Sequence, residues 1–344
     1  MPTPSDAIFL TISGRRYTGW KGLTLTRSLD AISTIGFSTS WDPHNPDLRA
    51  LFVPLARQSI EVDTGRGERL LTGLITAGAP ESDSEGRSLP LAGFGVPGIL
   101  DLTKLADTEF HKVHLDEIAR TVSAPSSIDV DFRAPKGASF DQVKLEHDKS
   151  PWSLLVDLSQ QVGVLLADSP GGKLLAWQPA AGRPVLELRE GVPPCGGFAV
   201  SFGDEWHAEI VGYAGAKRGR GGVSHRVKNP HFAGPYPTTH EYEEKDTKPA
   251  NLAAAVQSKL GRMVGNAITW TATIPGIRDP QGDLLAPNTI WRVYHPSSFI
   301  FRPTDLLVRR VTYSVSEESL ESEVELVLPG AFSGQLPEVM PWDA

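Results

Sequence analysis

Apolar and polar residues alternate from the start of the chain. Ala7-Ile8-Phe9-Leu10-Thr11-Ile12, a turn at Gly14, and Leu23-Thr24-Leu25-Thr26-Arg27 show the period of two expected of strands with one buried face. Gln58 to Asp63 and Leu70 to Ala77 continue the pattern on either side of a Gly65-Arg66-Gly67 turn. Residues 1–96 thus predict a first antiparallel β-barrel.

Near Pro97 the period changes. Leu115 to Val122 has apolar residues at helical spacing and is stopped by Pro125. Ser150-Pro151-Trp152-Ser153-Leu154-Leu155 places a serine where a helix needs a cap and a proline in the first turn, where its missing N–H costs nothing. That helix should run to about Val162 and end at Gly163, followed by a hairpin from Val164 to Trp177 that turns over Asp168 to Gly172. Residues 97–184 predict a small α+β insert.

From Val185 strand patterns return in Phe198–Phe202, Ala208–Tyr213, Ala267–Ile274, Ile290–Tyr294, Leu306–Val315 and Glu321–Leu328. One helix interrupts them, Ala250 to Val264, with Leu252, Val256, Leu260 and Met263 on one face. Residues 185–332 predict a second barrel with one helix, and residues 333–344 a tail. The expected fold is mainly β: two structurally similar antiparallel β-barrels, each with its own sheet, flanking an α+β middle region. The helix stripe should cover the second barrel's sheet, leaving Gln257, Lys259 and Arg262 on the outer face.

Charge and composition narrow the function. The chain of 344 residues holds 33 Lys and Arg against 41 Asp and Glu, a formal net charge of -8. That is the wrong sign for binding nucleic acid over the whole surface by counterion release. With 33 glycines and 28 prolines it is no coiled coil. A single cysteine, Cys195, excludes an intramolecular disulfide and a cysteine-rich zinc module. Met1 to Asp6 lacks the pattern of a signal peptide, and no apolar run reaches the ~18 residues of a membrane span. A soluble, reducing compartment and no membrane anchor are expected.

Candidate chemistry is sparse. His111 and His114 have a spacing that can share a metal, but no third ligand stands at a recognisable distance. Glu321, Glu323 and Glu325 alternate with Val324 and Leu326, as on a solvated strand face, although paired carboxylates across a cleft would suit glycan cleavage. In Gly93-Phe94-Gly95-Val96-Pro97-Gly98, Pro97 would block the helix that a phosphate-binding glycine fingerprint requires, so a turn is expected. The eight tryptophans, among them Trp20, Trp41, Trp270, Trp291 and Trp342, have no regular spacing and read mostly as core or interface anchors. No catalytic residue, metal ligand or cofactor site emerges. One stretch stands apart by charge: Lys217, Arg218 and Arg220, then His225, Arg226 and Lys228, flanked by Asp204-Glu205 and Glu241-Glu243-Glu244. A Gly-rich basic loop between carboxylates suits a phosphate backbone, an acidic partner or a solvated hairpin tip alike, and of these the expectation places the cations at an interface with an acidic partner.

Several segments together resemble the baseplate hub proteins of Mu-like tailed bacteriophages, related to the late control protein D family. They are the opening hairpin, Gly14 to Trp20 followed by Leu23 to Asp30, and the helix and hairpin from Pro151 to Leu174. The most specific are Pro280-Gln281-Gly282-Asp283-Leu284-Leu285-Ala286-Pro287-Asn288-Thr289, Val311 to Val315, and Val324 to Phe332. The chain departs from the family at Trp41-Asp42-Pro43-His44-Asn45-Pro46-Asp47, a Pro-rich connection in place of a plain turn.

The resemblance implies a structural, non-enzymatic protein of the virion tail, assembled in the host cytoplasm. It implies a homotrimer whose six tube-like barrels surround a channel and adapt the six-fold tail tube to the three-fold central spike. Implied neighbours are a tail tube or distal tail protein, the spike, baseplate wedge proteins and the tape measure protein. DNA would pass through the channel without sequence recognition. The competing reading is a glycan-cleaving or carbohydrate-binding β-rich protein.

Overall fold

The computed structural model describes residues 6–82, 86–106, 108–214, 222–244, 251–316 and 318–343. The first half contains β1 (Ile8–Ile12), β2 (Arg15–Tyr17), β3 (Trp20–Ser28), β4 (Thr34–Ser40), a short helix α1 (Pro46–Leu51), β5 (Ser59–Thr64), β6 (Arg69–Gly78), β7 (Glu81–Ser82) and β8 (Arg87–Gly95). Alternation decides which side chains go inward: Ile8, Leu10 and Ile12 of β1, Leu23 and Leu25 of β3, and Ile60 and Val62 of β5 are all buried in one core.

The middle region begins with α2 (Ile99–Leu102), β9 (Thr108–Val113), α3 (Leu115–Ser123) and β10 (Val130–Phe132). It continues with β11 (Phe140–Leu145), α4 (Pro151–Gln161), β12 (Leu165–Asp168) and β13 (Leu174–Trp177). Ser150 caps α4 by accepting from the Ser153 N–H at 3.1 Å, and Gly163, at φ 68°, lets the chain turn after its end. β12 and β13 form the expected hairpin, and β10 adds to β13 in parallel. Leu115, Ile118, Leu154, Leu155 and Leu158 lie in a core of this region's own, separate from that of the β-rich halves.

The last part contains β14 (Leu186–Arg189), β15 (Gly197–Phe202), β16 (Glu209–Ala214), β17 (Val223–Lys228), β18 (Thr239–Glu244) and α5 (Leu252–Ala267). It ends with β19 (Ile268–Pro275), β20 (Ile290–His295), β21 (Ile300–Ser316), β22 (Leu320–Val327) and α6 (Gly330–Ser333). The fold is mainly β with an α+β insert, as the periodicities predict.

The two β-rich halves do not keep separate sheets. β21 spans 17 residues, and its second half, Arg310–Ser316, pairs antiparallel with Ser28–Gly22 of β3 while β22 lies on its other edge. The result is one 14-stranded sheet running through both halves. Among the described residues no ladder closes on itself by hydrogen bonds. In the first half the chain runs from β2 through Thr18 and Gly19 straight into β3, so the strand at one end of the hydrogen-bonded path is covalently joined to one in its middle. The expectation of two barrels with independent sheets missed this junction because β21 reads in the sequence as an ordinary strand; nothing in its alternation reveals that both of its edges are taken.

Helix α5 buries Leu252, Val256, Leu260 and Met263 as its pattern predicts. The sheet it covers is not the main sheet of the second half, and its small residues Gly261 and Gly265 pack on α6. The stripe lies on the separate three-stranded sheet β17-β16-β18, where Gly212 has no side chain to hold the helix away: a methyl group there would meet Val256, Leu252 and Tyr242. Arg262 is not on an outer face either, since its Nε and Nη2 are buried. At 100° per residue Lys259 falls about 20° from Leu252, so Lys259 and Arg262 flank the stripe and are carried in with it.

The parts are tied by specific bonds. Asp168 at the end of β12 accepts from the Ser33 N–H at 2.6 Å, and Trp177 Nε1 donates to the Leu29 carbonyl at 2.9 Å. Asn288 binds the Gln178 carbonyl and the Ala180 N–H. Between the two halves, Arg278 pairs with Asp6 at 2.9 Å and with Glu68. Leu29, Leu165, Ile290, Leu307, Val327 and Phe332 make a small core where all three parts meet. The C-terminal segment is bound as well: the Pro341 carbonyl accepts from the Phe301 N–H, and Met340 is buried.

Candidate functional site

Lys217, Arg218 and Arg220 lie outside the described residues. Arg226 and Lys228 lie on β17, which among the described residues is an edge strand of its sheet. Both side chains are exposed, but Arg226 is engaged within the chain by Glu209 at 3.1 Å, and Lys228 stands opposite Glu209 in the register. The structure therefore brings the described part of the basic cluster to a sheet edge.

The other sequence candidates separate. Exposed His111 lies 3.5 Å from Glu109, whereas the Nδ1 of His114 is buried before α3, and among the described residues no cluster of three metal-ligating side chains occurs. Glu321 and Glu323 are exposed, and Glu325 bridges Arg309 and Arg310 at 3.3 and 3.2 Å, so this strand face is solvated and charge-paired. Gly93 and Gly95 lie within β8 and not in a turn: side chains there would overlap the Leu74 carbonyl and the Asp168 carboxylate, so these glycines serve close packing beside the bulge in β6. Trp270 and Trp291 are fully buried, and Trp270 Nε1 donates to the Ser298 carbonyl at 3.0 Å. No described helix is long and apolar enough to cross a membrane.

Two surfaces escape a reading of the sequence. Phe202, at the end of edge strand β15, packs edge-on to Phe299 at 5.6 Å and to Trp342 at 5.9 Å, and Phe299 meets Phe301 at 6.3 Å. The three phenylalanines are about half exposed, so apolar surface and an unpaired strand edge coincide. Only the fold unites them, because 97 positions separate Phe202 from Phe299.

The second is a cavity of about 300 Å³ beside the three-part core, lined by Asp30, Gln160, His207, His240, Lys259, Arg262 and Arg309 among others. His207 and His240 lie with ring centres 5.4 Å apart. Burial, then Lys259 and His207, hold the His240 imidazole below its ordinary pKa. Burial also lowers that of Arg262, with Asp30 opposing and Arg309 adding to the shift.

Residues 101–177 match the family described as baseplate hub protein gp44-like, second domain. The chain is 24% identical over 342 residues to the baseplate hub protein gp44 of Escherichia phage Mu, covering 94% of this chain and 88% of that one. Over almost its whole length the chain is similar to a Mu-type baseplate hub protein. The fold agrees: the 43 kDa tail protein of prophage MuSo2 from Shewanella oneidensis superposes with a TM-score of 0.80 at 23% identity, covering 94% of this chain and 98% of that one. A tail protein of Neisseria meningitidis MC58 reaches the same TM-score at 17% identity, over 95% and 98%. The hub-like segment coincides with the α+β region that has its own core, and the sheet that flanks it lies in the part shared with the Mu hub and the two tail proteins.

Proposed function

We propose that the chain is a structural baseplate hub of a phage tail, with no catalytic role. In this reading three copies form a ring around the DNA channel, each contributing two tube-like β units, so that a six-fold tail tube meets a three-fold spike. The observation that carries it is the similarity to the Mu hub across both β-rich halves as well as the insert. Two features of the chain support the finer reading. Both halves supply strands to the shared sheet: β1 to β8 from one, and β14, β15, β19, β20, β21 and β22 from the other. The β3–β21 junction fixes the angle between the halves, as a ring of alternating units requires.

The exposed aromatic cluster beside β15 is the surface assigned to the neighbouring copy, since a closing ring covers unpaired strand edges and apolar patches. The basic loop, Lys217, Arg218 and Arg220 with Arg226 and Lys228, is assigned to an acidic neighbour among the tube, spike, wedge or tape measure proteins. The virion baseplate is the expected location. Native mass spectrometry of the full chain, alone and with its tube and spike proteins, tests the reading. A trimer, or a complex containing three copies, is expected; a monomer at every concentration that binds neither protein overturns it.

A further inference from the structure

We propose that the cavity where the three parts meet is an oxyanion site that takes one carboxylate or phosphate group. The inference is independent of the assembly reading. Among the lining groups, Arg309 has its charge answered: although its Nε is buried without a bond among the described residues, it binds Asp30 at 3.3 Å, Asn266 at 3.1 Å and Glu325 at 3.3 Å. Asp30 in turn also accepts from Ser28 at 2.8 Å. Arg262 is different. Its Nε and Nη2 are buried and have no hydrogen-bond partner among the described residues, so a guanidinium sits in the wall with donors unmet and only the charge of Asp30, already shared with Arg309, to balance it. A fold keeps a buried group in that condition at a cost, and an anion entering the cavity removes it.

Of the neighbouring groups, the cationic and imidazole side chains fit the same ligand, and Glu205, which lines the cavity beside His240, opposes it. Lys259 on α5 lies over the Tyr242 ring at 5.7 Å, and His240 on β18 and His207, just before β16, also line the cavity. Arginine and lysine offer only donors, and the planar guanidinium fork matches the oxygens of a carboxylate or phosphate. The volume suits one small group and excludes a folded partner. Asp30 belongs to the first half, Gln160 to the middle region, and Arg262 and Arg309 to the last part, so an anion held here would draw all three together.

The test is isothermal titration of the full chain with glutarate and, separately, with inorganic phosphate at constant ionic strength, paired with melting curves. Saturable binding is expected for at least one anion. Tighter binding of glutarate assigns the site to an aspartate or glutamate side chain of a docked protein, and tighter binding of phosphate to a free phosphate group. Arg262→Met should weaken binding by about tenfold or more and at the same time raise the melting temperature of the ligand-free protein, because the buried cation with unmet donors is gone. Lys259→Ala should weaken binding while leaving that temperature unchanged. The proposal is overturned by absence of saturable binding for both anions, by undiminished binding in both variants, or by an Arg262→Met protein that melts lower or fails to fold.

Discussion

Asp168 and the Arg278–Glu68 pair both fasten one part of the chain to another, and their carboxyls respond to acid in opposite directions. The Asp168 carboxyl is held above its ordinary value of 3.8 by burial, against the opposing hydrogen bonds from Ser33 and the charge of Arg27. A carboxyl with a raised pKa contributes fully below about pH 4 and loses that contribution as pH rises through its value in the folded protein. Asp168→Asn, which can still accept from Ser33, should therefore have a higher urea midpoint than the native chain at pH 7, with the difference closing toward pH 4. Glu68 shows the reverse: the hydrogen bond from Arg278 holds its carboxyl below 4.5, so its contribution is present above that pH and is lost as pH falls. Arg278→Ala should lower the urea midpoint at neutral pH and flatten the loss of stability below pH 4.5. The Glu68 part of that effect is modest, since its side chain is 40% exposed and screened by water.

At the scale of elements, patterning predicts existence well and partnership poorly. The cap Ser150, the stop at Gly163 and the stripe Leu252, Val256, Leu260 and Met263 are local signals, and α4 and α5 form where they point. Leu260 is 1% exposed, so Leu260→Asp should cost on the order of 3 kcal/mol or more by burying an unpaired charge, measurable as a drop in the urea midpoint. The partner of α5 was not legible, because strands β16 and β17 alternate much like those of the main sheet and only Gly212 marks the close approach. The cavity was less legible still. Asp30, His207, Arg262 and Arg309 are separated along the chain by up to 279 positions, and nothing in the spacing of single charges announces that a fold will gather them.

For the whole molecule, the division of cores sets how it should come apart. One hydrophobic cluster runs through both β-rich halves, and the middle region keeps its own. Calorimetry should show two transitions, and Leu158→Ala, costing about 2–5 kcal/mol, should move only that of the middle region. A single transition displaced as a whole would show that the interfaces at Asp168 and Trp177 couple the two cores completely. Assembly gives a further expectation: alanine at Lys217, Arg218 and Arg220 together should weaken association with tube and spike proteins, more at low than at moderate salt, where screening already weakens the contact. Normal assembly at both salts with altered DNA passage would instead put the loop on the channel wall. The mainly β class and the order of half, insert and half were legible because they follow from local periodicity; the continuity of the sheet was not, because pairing between β3 and β21 joins residues nearly 300 positions apart. That continuity bears on load. Seven residue pairs join Gly22–Ser28 to Arg310–Ser316, with their hydrogen bonds perpendicular to the strands. A pull along the strand axis, such as a tail under tension would exert, shears all seven pairs at once instead of unzipping them in turn, so the seam between the halves is a mechanical strong point.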